Sequence, residues 1–126
     1  MKKTFFIAGV QFRPHIETRE AVKKMKPGDV LLLEPEPTNK FDPNAIKIIF
    51  KETFEADNLT GEESTFLGYI PKKFSSEISG LLGIDVELKC TVEEVNASAS
   101  PWEMIKVTIS DEEDINTDFQ GPESER

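Results

Sequence analysis

The residues best suited to chemistry lie between positions 36 and 48, in the string Glu36-Pro37-Thr38-Asn39-Lys40-Phe41-Asp42-Pro43-Asn44-Ala45-Ile46-Lys47-Ile48. Further along comes Leu67-Gly68-Tyr69-Ile70-Pro71-Lys72. Together they offer two aromatic rings, two carboxylates, side-chain amides and ammonium groups. Rings stack on flat ligands, a carboxylate accepts a hydrogen bond from a hydroxyl, and ammonium groups attract phosphate. That is the chemistry of binding. Spacing alone leaves a plainer account open and favours it: Phe41 as a core plug, Asp42 as a turn former before Pro43, and Asn44 as a turn residue bonded to the backbone.

Bond-breaking chemistry has little to work with. His15 is the one histidine and Cys90 the one cysteine, so a Ser-His or Cys-His pair would have to use His15. Cys90 falls in an alternating stretch where it reads as a small buried apolar side chain. Gly61 and Gly68 do not form a phosphate-cradling loop. Asp42 with Glu34 or Glu36 could hold a magnesium ion, but two carboxylates separated by prolines are a weak signal. One cysteine excludes an internal disulfide framework and a Cys/His zinc cluster. The expectation is a chain without catalytic residues, metal or cofactor, and nothing indicates a small-molecule ligand.

The elements that must position these residues are short. A strand is expected at 4–10, then a helix at 18–25 capped by Thr18, with Lys23 and Lys24 at its negative end. Pro27 and Gly28 end it. Strands follow at 30–34 and 45–50 around a loop at 38–44, Pro35 and Pro37 barring continuation of the first. An acidic hairpin insertion at 52–65 with its turn near Gly61 leads to a return strand at 66–70. Phe74, Ile78, Leu81 and Leu82 are spaced for a helix at 72–82 with Gly83 as its C-terminal glycine. Val86, Leu88, Cys90 and Val92 alternate with polar residues as in a half-buried strand, and the last strand is placed at 104–109. The fold class is therefore mainly β with two short helices, a small, partly open six-stranded barrel. One domain is expected at 1–110, followed by an acidic disordered tail at 111–126.

The net charge of -9 argues at first against a nucleic-acid partner. The acids are concentrated, however, in the tail and in residues 52–63, and without those two stretches the chain is slightly basic. The apolar run after Lys2 and Lys3 is broken by Gln11, Arg13 and His15, and no run approaches a membrane span. The chain reads as unexported, cytoplasmic and without a membrane partner.

The string Glu-Pro-x-Asn-x-Phe-Asp-Pro-Asn-Ala-Ile at residues 36 to 46 resembles the HIRAN domain. So do Gly68-Tyr69-Ile70-Pro71 after a variable insertion, Gly9-Val10-Gln11-Phe12 before it, and Pro27-Gly28-Asp29. The likeness covers residues 5 to 109 without the insertion. HIRAN domains occur alone in bacteria and phages, and attached to SNF2-type helicases and nucleases; in the fork-remodelling helicases the domain captures the 3′ end of single-stranded DNA. The resemblance implies an OB-like β-barrel with a pocket in which Phe12 and Phe41 stack on terminal bases. Asp42 would accept a hydrogen bond from the terminal 3′-hydroxyl and Lys72 would meet a phosphate, with Asn39, Tyr69 and Trp102 counted in the same site. It implies a non-catalytic module of DNA repair or fork processing, with a helicase or nuclease as protein partner. The chain departs from the family pattern at Gln11 and Pro35, where binding members often carry arginine, and at Phe12 and Phe41, where tyrosine is usual. The alternative is a protein-interaction domain whose acidic tail and insertion contact a basic partner.

Overall fold

Alternating apolar residues build the sheet. In the computed structural model, which describes residues 1–111, the chain forms β1 (Lys2–Phe6), α1 (His15–Lys24), β2 (Val30–Pro35), β3 (Ile46–Ala56), β4 (Leu59–Tyr69), α2 (Lys72–Gly83), β5 (Leu88–Val95) and β6 (Ile105–Asp111). Short 3-10 turns lie at Val10–Phe12 and Pro101–Glu103. The strand order is β1-β6-β5-β2-β3-β4, and each neighbouring pair is antiparallel.

The two edges of this sheet meet at one point. Ala8 N–H donates to the Tyr69 carbonyl at 2.9 Å and Tyr69 N–H to the Ala8 carbonyl at 2.8 Å. A single bridge rather than a full ladder closes the curl, which makes the expected OB-like, partly open barrel. Gly68 permits the approach, because a Cβ there would collide with the Ala8 carbonyl oxygen and stand 2.8 Å from Ile7 Cγ2.

Inside lie Ile7, Ile46, Ile48, Leu67, Cys90, Val92, Ile105, Val107 and Ile109, all fully buried. Helix α1 adds Ala21 and Val22, and α2 adds Ile78 while Phe74 stacks on Phe5 with centroids 5.5 Å apart. Burial pushes the Cys90 thiol up to about 12, so it stays protonated at neutral pH and is a core residue, not a nucleophile. Among the described residues no helix is long and apolar enough to cross a membrane.

Several boundaries differ from the sequence expectation. Strand β1 stops at Phe6, because Gly9 takes a left-handed φ of 77° and turns the chain into Val10–Phe12. Helix α1 starts at His15, with Pro14 as its N-cap. Thr18, expected to cap it, instead donates its hydroxyl back to the Pro14 carbonyl at 2.9 Å from inside the helix. The hairpin turns at Asp57 and Asn58, both left-handed, where a two-residue turn matches the strand twist; Gly61 lies within β4, its missing Cβ filled by the Phe54 ring. The acidic insertion is thus a continuous ribbon of β3 and β4. Gly83 remains helical and Asp85 takes the left-handed φ, which leaves Val86 outside β5 with its N–H on the Leu81 carbonyl. Strand β6 includes Asp111, and the tail at 112–126 lies outside the described residues.

Candidate functional site

Three segments far apart in sequence converge on one cavity of about 270 Å³. The Val10–Phe12 turn brings Phe12, the loop between β2 and β3 brings Asn39, Phe41 and Asp42, and the β4–α2 junction brings Tyr69 and Lys72. Ala8, Gly9, Ala45 and Ile70 complete the lining. Its two phenyl rings are strongly exposed, Phe12 at 79% and Phe41 at 87%. The reading of Phe41 as a core plug is therefore excluded. Two large apolar side chains that line a cavity with most of their surface in water contribute little to packing, and their faces are open to a ligand.

The loop that carries Phe41 is held by its own polar residues. Asn39 Oδ1 accepts from the Phe41 N–H at 2.8 Å and the Asp42 N–H at 3.0 Å, and Asp42 Oδ1 accepts from the Asn44 N–H at 2.9 Å. These are short side-chain turns of the kind that Asn and Asp form with the backbone. Asn39 Nδ2 donates to Glu36 Oε1 at 2.8 Å, and the Tyr69 hydroxyl donates to the same oxygen at 2.7 Å. Glu36 Oε2 lies 3.3 Å from Lys47 Nζ. One carboxylate thereby ties the loop to β4. The Asn39 bond holds the Glu36 carboxyl below its ordinary range, with Tyr69 and Lys47 acting in the same direction, while burial and Glu36 push the Tyr69 hydroxyl up.

Asp42 faces α2. Its Oδ2 is 2.7 Å from Ser75 Oγ, which also lies 2.9 Å from the Lys72 carbonyl. The Ser75 bond, then the Asn44 N–H and the Lys72 charge, lower the Asp42 carboxyl from its ordinary value, so it is ionised and only accepts. Each carboxylate oxygen has two acceptor positions, and each uses one within the protein. Capacity remains for a donor from outside. Helix α2 itself begins with Lys72 and Lys73, has no acid in its first turn and no side-chain cap. Two cations at the positive end of a helix are unfavourable alone and favour an anion there.

Glu36 and Ser75 are structurally central and were missed as site residues in the sequence. Glu36 stood inside the string but was weighed only as a weak magnesium ligand beside Asp42 and as part of a strand exit, and Ser75 is an ordinary polar residue within a helix. Arg13 was missed as well. Its Nε donates to the Phe66 carbonyl at 3.3 Å and its guanidinium lies 4.0 Å from the Phe66 ring centroid, with Tyr69 edge-on to the same ring at 5.3 Å. That cluster depends on a bulge: Ile48 faces Gly68 but Ile49 faces Phe66, so Leu67 is an extra residue and Phe66 and Tyr69 share a face. Trp102 sits on the Pro101–Glu103 turn beside the Val10–Phe12 turn, exposed, and does not line the cavity. Among the described residues no group of three or more His, Cys, Asp or Glu could hold a metal ion.

A curled antiparallel sheet, two helices and an aromatic cleft at the point of closure define an OB-like binding module. The HIRAN domain family model matches residues 4–112, and the chain belongs to that family. Among solved structures it is similar to the HIRAN domain of human HLTF, at 13% identity and a TM-score of 0.59, over 92% of this chain and 81% of that one. It is also similar to a protein from Lactobacillus plantarum, at 16% identity and a TM-score of 0.63, over 86% of this chain and 95% of that one. Both likenesses are of fold. No curated protein matches the chain.

Proposed function

We propose that this chain is a non-catalytic module that captures single-stranded DNA at a 3′-hydroxyl end, in the service of DNA repair or replication-fork processing. The observation that carries this reading is an ionised carboxylate, Asp42, with spare acceptor capacity in a cavity flanked by the exposed rings of Phe12 and Phe41. Stacking on aromatic rings contributes about 1 to 3 kcal/mol per base and accepts any base. A carboxylate accepts from a free hydroxyl and repels a phosphate, so Asp42 selects an end over an internal position. Lys72 lines the same cavity at the N-terminus of α2, which supports a role for its ammonium group in meeting a phosphate of the bound strand. Family membership supports DNA as the polymer.

The test is fluorescence anisotropy of the full chain with labelled oligonucleotides ending in 3′-hydroxyl or 3′-phosphate, at low salt. Preferential binding of the hydroxyl end is expected; equal, negligible binding of both would sink the proposal. Specific cleavage of the DNA with magnesium or manganese would overturn the non-catalytic part.

A further inference from the structure

The ribbon of β3 and β4 carries a repulsion with no internal purpose. Glu52 lies directly opposite Glu63 across the two strands, and like charges in that position are destabilising. Alternation puts both on the face that also bears Phe54, turned toward α1. Between ribbon and helix run two adjoining cavities of about 300 and 360 Å³, lined by Ile16, Glu17, Glu20, Glu52, Phe54 and Glu63 together with Lys24.

The charges in this groove do not balance. Lys24 pairs with Glu52 at 3.4 Å and Lys23 with Glu20 at 3.6 Å. Among the described residues Glu17 and Glu63 have no ion-pair partner. Ile16 is 80% exposed and Phe54 50%, so apolar anchors stand beside the unbalanced carboxylates. From these we infer that the groove between α1 and the ribbon docks a basic, partly apolar polypeptide segment of a partner protein. Its lysines or arginines would meet Glu17 and Glu63 and relieve the Glu52–Glu63 repulsion, while its apolar side chains cover Phe54 and Ile16. A free cation would leave those apolar residues uncovered, and an acidic segment would add to the repulsion. The groove and the cavity around Phe41 share no lining residue, so one chain can hold DNA and a partner together.

The test uses the full chain and a short labelled peptide of repeating Lys-Val-Lys, with the corresponding Glu-Val-Glu peptide as control. Binding of the basic peptide alone is expected, with amide shifts in an NMR titration centred on Glu17, Glu52 and Glu63. Glu63→Gln should weaken it about fivefold, the scale of one lost ion pair. The same substitution should leave thermal stability equal or higher, because it removes a like-charge pair. A misfolded variant would lose both. Phe41→Ala should bind the peptide as the parent does. No binding, equal binding of both peptides, unchanged affinity in Glu63→Gln, or shifts confined to 112–126 would each overturn the inference.

Discussion

The Ser75 hydroxyl stands 2.7 Å from Oδ2 of Asp42, a residue thirty-three positions earlier in the chain. This contact aims the carboxylate of the β2–β3 loop along the first turn of α2. Asp42→Asn should erase the preference for a 3′-hydroxyl over a 3′-phosphate while leaving stacking intact. Ser75→Ala should reduce the same preference partially, by about threefold, because the carboxylate loses its orientation but keeps its charge. Competition anisotropy with the two kinds of oligonucleotide end reads both.

Phe12 and Phe41 are exposed in the free protein, so removing either costs the fold little. Phe41→Ala and Phe12→Ala should each lower affinity for single-stranded DNA about tenfold or more, the scale of one lost stack. Unfolding midpoints should match the parent. A large drop in midpoint for Phe41→Ala would mean that its ring packs in the core after all.

Lys72 is expected to act through phosphate. Lys72→Ala should weaken binding of all sequences alike and flatten the dependence of log affinity on log salt by about 0.7, one phosphate contact on a single strand. A salt titration of parent and variant checks this. An unchanged slope would remove Lys72 from the interface. The same measurement on Arg13→Gln asks whether the guanidinium stacked on Phe66 reaches the DNA or serves the fold alone.

The pH dependence follows from the direction of the Asp42 shift. Its carboxyl is lowered from 3.8 by Ser75, Asn44 and Lys72. A group depressed on folding contributes its full share above the unfolded value and loses it as pH falls through the lower folded value. Affinity for the 3′-hydroxyl end, which carries no titrating phosphate monoester, should therefore be flat from pH 8 down to about 5 and decline only below about 4. A decline centred near pH 6 would point to a different titrating group.

Gly68→Ala should be the most damaging small change in the barrel. The added methyl meets the Ala8 carbonyl oxygen at the bridge that closes the sheet. Overpacking of this kind costs about 1 to 3 kcal/mol, and opening the bridge also displaces Tyr69 from the cavity. Thermal unfolding and DNA binding should fall together.

The fold was legible because its signals are local: alternation in 88–92 and helical spacing from Phe74 to Leu82. Pro35 was expected to stop the second strand at 34 but is itself the last residue of β2, paired with Ile46. Phe12, Asn39, Phe41, Asp42, Tyr69 and Lys72 could be gathered into one list only through the resemblance of their three strings to the HIRAN pattern, and the barrel does bring them to one cavity. Trp102 was counted with them, but the loop before it fixes no direction, and it does not line the cavity. Thr18 misled because Pro14 sets a helical φ earlier and starts α1 a turn sooner. The companionship of Phe66 and Tyr69 rests on an extra residue in one strand, which strict alternation would assign to opposite faces. Ser75 and Glu36 matter only through partners distant in sequence, and no spacing rule reports that.

The bridge between Ala8 and Tyr69 bears on how the molecule comes into being. β1 also pairs along its length with β6, and Ile7 N–H reaches the Ile105 carbonyl at 2.9 Å. Such contacts pay their loop-closure entropy before they return any stability, which makes them late events in folding. Phe12 is carried on the chain that leaves this junction, so the cleft takes shape only when residues near both ends of the domain have met. A growing chain on the ribosome holds the loop with Phe41 long before it holds the cleft that the loop borders.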